Sequence, residues 1–331
     1  MTLPRSFAAT TVFAAAALLT ACGADSNPPS AAPAPRISTA YELPGERVYP
    51  EGIALDSRTG TTYVGSYSTG AVYRAEPGAA RAEVFLPEGA DGRRTTNGLR
   101  VDPAGRLWVI DSTRGVAVYD TGTRALIATF TAPGPDPRMV NDLAITPDGT
   151  AYLTDSLRAV VYRVTPDQLA GGGTAELTTA FDLHGAIAPR AAGEFGLNGI
   201  AADPTGKYLL VVDMPTGELY RIATAPNSSP AIHKVTLHGG DLTNGDGLDL
   251  TGGLLRVVHN RDNTLSRWTL SEDYTTATRQ ATVTDPALSI PTTMVFVDGK
   301  ALVVASQFDK GGPMAPGTPT TPFAVLAVEG I

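Results

Sequence analysis

One cysteine and four histidines are all the thiol and imidazole that 331 residues supply. This excludes an intramolecular disulfide, a Cys-rich zinc centre and a dithiol redox pair. Basic residues are also short: 25 Lys and Arg stand against 33 Asp and Glu, a formal charge of -8. No basic field is left to attract nucleic acid or anionic lipid headgroups. After the first twenty residues no apolar run approaches the roughly 20 residues of a spanning helix. There is no G-x-S-x-G elbow, no H-E-x-x-H, no Walker or dinucleotide loop, and the string NGDGLD (244–249) fits a turn better than an EF-hand. What is plentiful is Gly (35) and Pro (26). At this length that favours one repetitive all-β architecture over two ordinary domains.

Residues 1–21 read as a targeting segment, with Arg5 as a short basic region and an apolar stretch, FAATTVFAAAALLT (7–20), too short to span a bilayer. It ends in Leu19-Thr20-Ala21-Cys22, which resembles the lipobox of bacterial lipoproteins and implies lipidation of Cys22. The alternative is an ordinary secretory signal with a chance cysteine. Residues 22–36, rich in Pro, Ala and Ser, lack the large apolar side chains of a core and read as a flexible tether. Residues 37–331 form the folded domain. The expectation is an extracytoplasmic monomer, soluble itself, held to a bacterial membrane only by its N-terminal lipid and exposed to calcium.

Six similar openings organise that domain. They begin at Glu51 (EGIALD), Asn97 (NGLRVD), Asn141 (NDLAIT), Asn198 (NGIAAD), Asp246 (DGLDLT) and Thr292 (TTMVFV), spaced 46, 44, 57, 48 and 46 residues apart. A period near 46 accommodates four short strands with their turns. Each opening alternates apolar and other residues and then usually meets a turn such as DPAG (102–105), TPDG (146–149) or DPTG (203–206), after which second and third strands follow. The pattern predicts a six-bladed β-propeller. The last repeat has only three strands, so residues 37–43 are expected to complete blade six and close the ring.

In a propeller the innermost strands start at one mouth of the channel, which makes the six opening residues converge on the axis. All six bear oxygen and two are acidic. Two carboxylates neutralise one divalent cation and amide carbonyls add neutral oxygens, a set suited to calcium with its six to eight oxygen ligands. Polar residues also gather wherever turns enter strands, so the ring alone leaves a purely structural role open.

Residues 45–331 resemble the regucalcin, gluconolactonase and luciferin-regenerating-enzyme group, a six-bladed propeller superfamily that includes diisopropylfluorophosphatase and paraoxonase-type lactonases. YPEGIALD (49–56), VNDLAITPDG (140–149), LNGIAADPTG (197–206) and GDGLDL (245–250) carry the likeness. The resemblance implies calcium held by Glu51, Asn141, Asn198 and Asp246, with Asn97 and Thr292 as possible additional channel residues. It also implies a metal-dependent hydrolase of lactones or related esters in which Asp246 serves as general base or nucleophile. The group's sugar-contacting Arg, two places before the third-blade Asn, is Met139 here with Arg138 one place off, so gluconolactone specificity is not implied.

A second layer is expected at the ends of the second strands: Ser66, Asp111, Asp155, Asp213, His259 and Ser306. His259 resembles a paraoxonase histidine of the same blade and is a catalytic candidate beside Asp246. Its alternative, shared with the Asp residues, is to hydrogen-bond backbone between blades. His184, His233 and His238 read as surface residues, and Trp108 and Trp268 as core or inter-blade packing. The excess of residues between Asn141 and Asn198 places a loop near 166–196, and another spans 308–321. Both are expected to shape access to the channel. The competing function is a non-catalytic propeller binding a cell-envelope, sugar or protein partner.

Overall fold

The computed structural model describes residues 1–2, 34–191, 193–225 and 231–331. The targeting segment, Cys22 and most of the tether lie outside the described residues. The chain divides into Met1–Pro33 and Ala34–Ile331, and the second unit carries six sheets. No helix among the described residues is long and apolar enough to cross a membrane.

From the axis outward, blade one is Pro50–Leu55, Thr62–Ser66, Val72–Ala75 and Glu83–Leu86. Blade two is Leu99–Val101, Arg106–Asp111, Gly115–Asp120 and Leu126–Thr131, and blade three Val140–Ile145, Ala151–Asp155, Val160–Val164 and Thr178–Asp182. Blade four is Leu197–Ala202, Tyr208–Asp213, Glu218–Ala223 and Ile232–Lys234, and blade five Gly245–Thr251, Leu254–His259, Thr264–Leu270 and Thr276–Thr284. Blade six takes Pro291–Val297, Lys300–Ala305 and Phe323–Glu329 from the end of the chain and Arg36–Leu43 from its beginning. This last strand pairs antiparallel with Phe323–Glu329. The innermost strands pack each on the next, and the sixth packs on the first. The six-bladed propeller and its closing strand are as the repeats predict.

The turns explain the spacing. In DPAG the Asp102 carboxylate accepts from the backbone N–H of Ala104 and Arg106 at 3.0 Å each, while Gly105 takes the positive φ of 80° that the turn requires. Asp203 repeats the arrangement with Thr205 and Tyr208. Beyond each turn, alternation buries one face of a blade against its neighbour. Tyr63, Val72 and Phe85 of blade one, for example, meet Leu107, Val109 and Tyr119 of blade two. Trp108 lies between blades two and three and Trp268 between blades four and five, each indole N–H satisfied inside by Asp102 or Ser266.

Two blades carry a fifth strand that the four-strand repeat did not predict. Gly173–Glu176 leaves blade three and pairs parallel with the outer strand of blade two, and Thr236–His238 does the same on blade five. Both cover an outer edge that would otherwise expose unpaired backbone. The first half of the long blade-three segment therefore runs to the rim, through a short helix Pro166–Ala170 capped by Thr165 and Gln168, and does not rise over the channel.

The closing strand is fastened to blade one as well as to blade six: the buried Tyr41 hydroxyl lies 2.7 Å from Thr62 Oγ1. Tyr41→Phe removes that bond and leaves the Thr62 hydroxyl with one long contact to the Ala75 carbonyl. The expected cost is about 1 kcal/mol, read as a lower urea midpoint at unchanged slope.

Candidate metal centre

The ring residues are aimed at the axis by irregularity in the strands that carry them. In blades one, three, four, five and six the ladder between first and second strands shifts register at the opening residue, as between Pro50 and Ile53 or between Gly245 and Leu248. The bulge frees the opening residue from pairing and re-aims its side chain. Neighbouring blades can come this close because the next residue is often Gly. A Cβ on Gly52 would sit 2.2 Å from the Asn97 carbonyl oxygen, and one on Gly199 2.1 Å from that of Asp246.

Glu51, Asn97, Asn141, Asn198, Asp246 and Thr292 are thus gathered, none more than 7% exposed. Their amides form a relay. Asn97 Nδ2 donates to Glu51 Oε1 at 3.3 Å and to Asn141 Oδ1 at 3.4 Å. Asn141 Nδ2 donates to Asn198 Oδ1 at 3.0 Å and to Ser156 at 2.9 Å, and Asn198 Nδ2 reaches Met214 Sδ at 3.3 Å. Thr292 turns its hydroxyl to the Glu51 carbonyl at 2.6 Å, which makes it a blade-to-blade tie.

Burial pushes both ring carboxyls well above the usual carboxylate range, and neighbouring acids add to it: Asp246 and Asp142 for Glu51, Asp142 for Asp246. Asp142 was not among the sequence candidates. Its one signal is an acid where blades one, two, four and five have Gly. Arg100, 3.5 Å from Asp142, supplies a counter-charge that also reaches Glu51 but not Asp246, and burial still outweighs it at Glu51.

The arrangement fits a divalent cation on its own chemistry. Buried carboxylates without a counter-ion are costly. The amide donors named above are all directed at ring or side neighbours. Among the described residues, the carbonyl oxygen Asn97 Oδ1 is buried without a hydrogen-bond partner. The centre therefore offers acceptors and lacks donors. Among the described residues no three His, Cys, Asp or Glu form a metal-holding group; the ring's ligand atoms are carboxylate, amide and hydroxyl oxygens, a set that suits a hard cation better than zinc or copper.

The expected second layer is displaced by one residue in four blades. Ser66, Asp155, Asp213 and His259 pair in register with the residue before each opening, and a one-place slip turns a strand side chain to the other face. Ser66 Oγ donates to the Val48 carbonyl, Asp111 accepts from Arg94 N and Asp155 from Met139 N, so these three fasten the loops that lead into their own inner strands. Asp213 binds Arg190. His259 belongs with them: Nδ1 lies 2.9 Å from the Thr243 carbonyl and Nε2 2.7 Å from Ser266 Oγ, and burial holds its pKa below the usual value. The structure does not bring the imidazole to the ring. The residues that do meet it are Ser156, Met214, Asn260, 2.9 Å from Asp246 Oδ2, and Ser306, 2.8 Å from Thr292 Oγ1. His259→Gln is accordingly expected to leave cation affinity within twofold while lowering stability by about 1 kcal/mol, checked by titration and urea unfolding.

Segment 308–321 does lie at the mouth. Phe308 packs against Tyr67 with ring centroids 5.2 Å apart, Lys310 O accepts from Tyr49, and the Tyr67 pKa is raised by burial and, secondarily, by the charge of Glu51. The second half of the blade-three segment is clamped there too, since Gly196 N binds the Ser156 carbonyl and Met214 N the Gly196 carbonyl. Arg138 faces its own loop, bonded to the Ala132 carbonyl and paired with Asp136. His184 is exposed beside Asp182. At the opposite end of the channel a cavity of about 530 Å³ is lined by Arg100, Asp249, Met294 and Phe296.

No protein-family model matches the chain, and no curated protein matches it. Solved structures do. A gluconolactonase from Xanthomonas campestris is 18% identical with a TM-score of 0.61, covering 89% of either chain. A calcium-binding regucalcin from Agrobacterium tumefaciens is 17% identical with a TM-score of 0.58, over 89% of this chain and 96% of that one. A virginiamycin B lyase from Staphylococcus aureus is 12% identical with a TM-score of 0.56, over 90% and 100%. The chain shares the six-bladed propeller fold of the gluconolactonase and the regucalcin.

Proposed function

We propose that the protein is a calcium-dependent hydrolase of the gluconolactonase-like group, acting on lactones or related esters at the propeller mouth, and held outside the cytoplasm by a lipid on Cys22. The observation that carries the reading is the ring itself: two buried carboxylates and a chain of amides with acceptors and no free donors. The propeller likeness to a gluconolactonase and a calcium-binding regucalcin supports it.

Glu51, Asn141, Asn198 and Asp246 would hold the cation. Once bound, it supplies a Lewis acid for a carbonyl oxygen. The remaining work belongs to the chain. Asn260 holds Oδ2 of Asp246 and Asn198 also hydrogen-bonds the carboxyl, which would orient Asp246 to take a proton from water or to attack the carbonyl. Tyr67 and Phe308 offer an apolar wall beside Glu51 that excludes water from one side of the mouth. A non-catalytic propeller that binds a cell-envelope partner is the second reading, favoured by how little of the ring reaches solvent.

The test is hydrolysis of a panel of lactones, aryl esters and phosphotriesters by chelator-treated full-length protein, followed by pH-stat with and without added calcium. Calcium-restored turnover of lactones or esters is expected. Binding of calcium without turnover of any substrate would leave the binding module.

A further inference from the structure

Four residues provide the ring with four oxygens when each binds through one atom, whereas calcium takes six to eight. Asn260 is placed to supply another. It lies on the hairpin after the second strand of blade five, 1% exposed. Its Nδ2 donates to Asp246 Oδ2 at 2.9 Å and to the Pro291 carbonyl at 3.1 Å. Both N–H bonds are therefore engaged, and by acceptors. Turning the amide over would set its oxygen against a carboxylate and a carbonyl, so the chemistry of the neighbours fixes which end is which. That leaves Oδ1 buried and, among the described residues, without a partner. A carbonyl oxygen in that state loses its hydration and gains nothing in return.

The same pattern occurs once more in the ring. Asn97 directs its amide nitrogen to Glu51 and to Asn141, both acceptors, and its Oδ1 is likewise buried and unpartnered. Each ring carboxylate thus has one asparagine that grips it by the nitrogen and leaves the oxygen unused. We propose that Asn260 is a metal ligand: its amide nitrogen positions Asp246 and its carbonyl oxygen binds the same cation, which with Asn97 on the opposite carboxylate raises the protein oxygens from four to six. The proposal rests on the cation reading of the ring given above.

Terbium, a luminescent stand-in for calcium, separates ligation from mere positioning, because its decay rates in H₂O and D₂O count the waters directly bound to it. Full-length protein, Asn260→Leu and Asn260→Asp are each titrated with terbium and, in competition, with calcium. The wild type should bind one terbium per chain. Asn260→Leu, with no oxygen to offer, should gain about one bound water and lose roughly tenfold in calcium affinity. Asn260→Asp keeps an oxygen and should retain the wild-type water count. An unchanged water count in Asn260→Leu would overturn the proposal whatever happened to affinity, since a residue that only positions Asp246 leaves the inner sphere intact. If Asn260→Leu fails to fold, as read by circular dichroism, an added water in Asn260→Asp overturns it instead. Absence of terbium binding in the wild type would remove the cation reading itself, an outcome distinct from either variant result.

Discussion

Asp246→Asn should weaken calcium binding by on the order of a hundredfold or more while the metal-free protein stays folded. The substitution is nearly isosteric and removes the ring charge that Arg100, paired with Asp142, does not offset. Losing one member of a buried charged set costs about 3 kcal/mol or more, and about 1.4 kcal/mol is a factor of ten. In the metal-free state the same change removes a buried carboxyl that burial and Asp142 already disfavour as an anion, so stability should hold or rise. The two halves of the result point in opposite directions, which makes it hard to imitate by misfolding. Isothermal titration on chelator-stripped wild type and variant reads the first half and thermal unfolding the second. Equal affinity in both proteins would remove Asp246 from the centre, and with it any role as base or nucleophile.

Much of this was legible because a propeller repeats its logic six times. The openings from Glu51 to Thr292 stand in register, and closure by Arg36–Leu43 follows from a three-stranded last repeat. What escaped had no repeat to announce it. Asp142 is a single departure from Gly, and the sequence does not show that its carboxyl lies within electrostatic range of Glu51 and Asp246. Asn260 and His259 are neighbours at a strand end, where period two puts one toward the channel and the other away. The bulge at Asp246 decides which, and a bulge leaves no signature in composition. The destination of Gly173–Glu176 was equally hidden, because pairing across to blade two depends on the path of a loop and not on the strand's own residues.

The pH dependence of the metal-free protein should run against the usual expectation for an acidic domain. Glu51 and Asp246 titrate well above the ordinary carboxylate range, first because they are buried and then because acids face one another across the channel; Asp142 is raised too, with Arg100 opposing. A carboxyl raised on folding stabilises the native state fully below its unfolded pKa, about 4, and that contribution is lost as pH climbs to the folded value. Across pH 5–8 each such group takes away up to about 1.4 kcal/mol per pH unit. His259 acts in the opposite sense, since its pKa is lowered and the folded protein gains as the unfolded imidazole deprotonates near 6.5. Carboxylates held down by hydrogen bonds, such as Asp148 and Asp273, change only at lower pH. Chelator-treated protein should therefore melt at a lower temperature at pH 8 than at pH 5, and more steeply so in His259→Gln, where the opposing contribution is gone. Saturating calcium should flatten or reverse the slope, because the cation favours the ionised ring and binds more tightly as protons leave it. Scanning calorimetry at several pH values reads all three curves. A metal-free melting temperature that rises from pH 5 to pH 8 would mean that Glu51 and Asp246 are already ionised without a cation, and that the ring carries a compensating charge of its own.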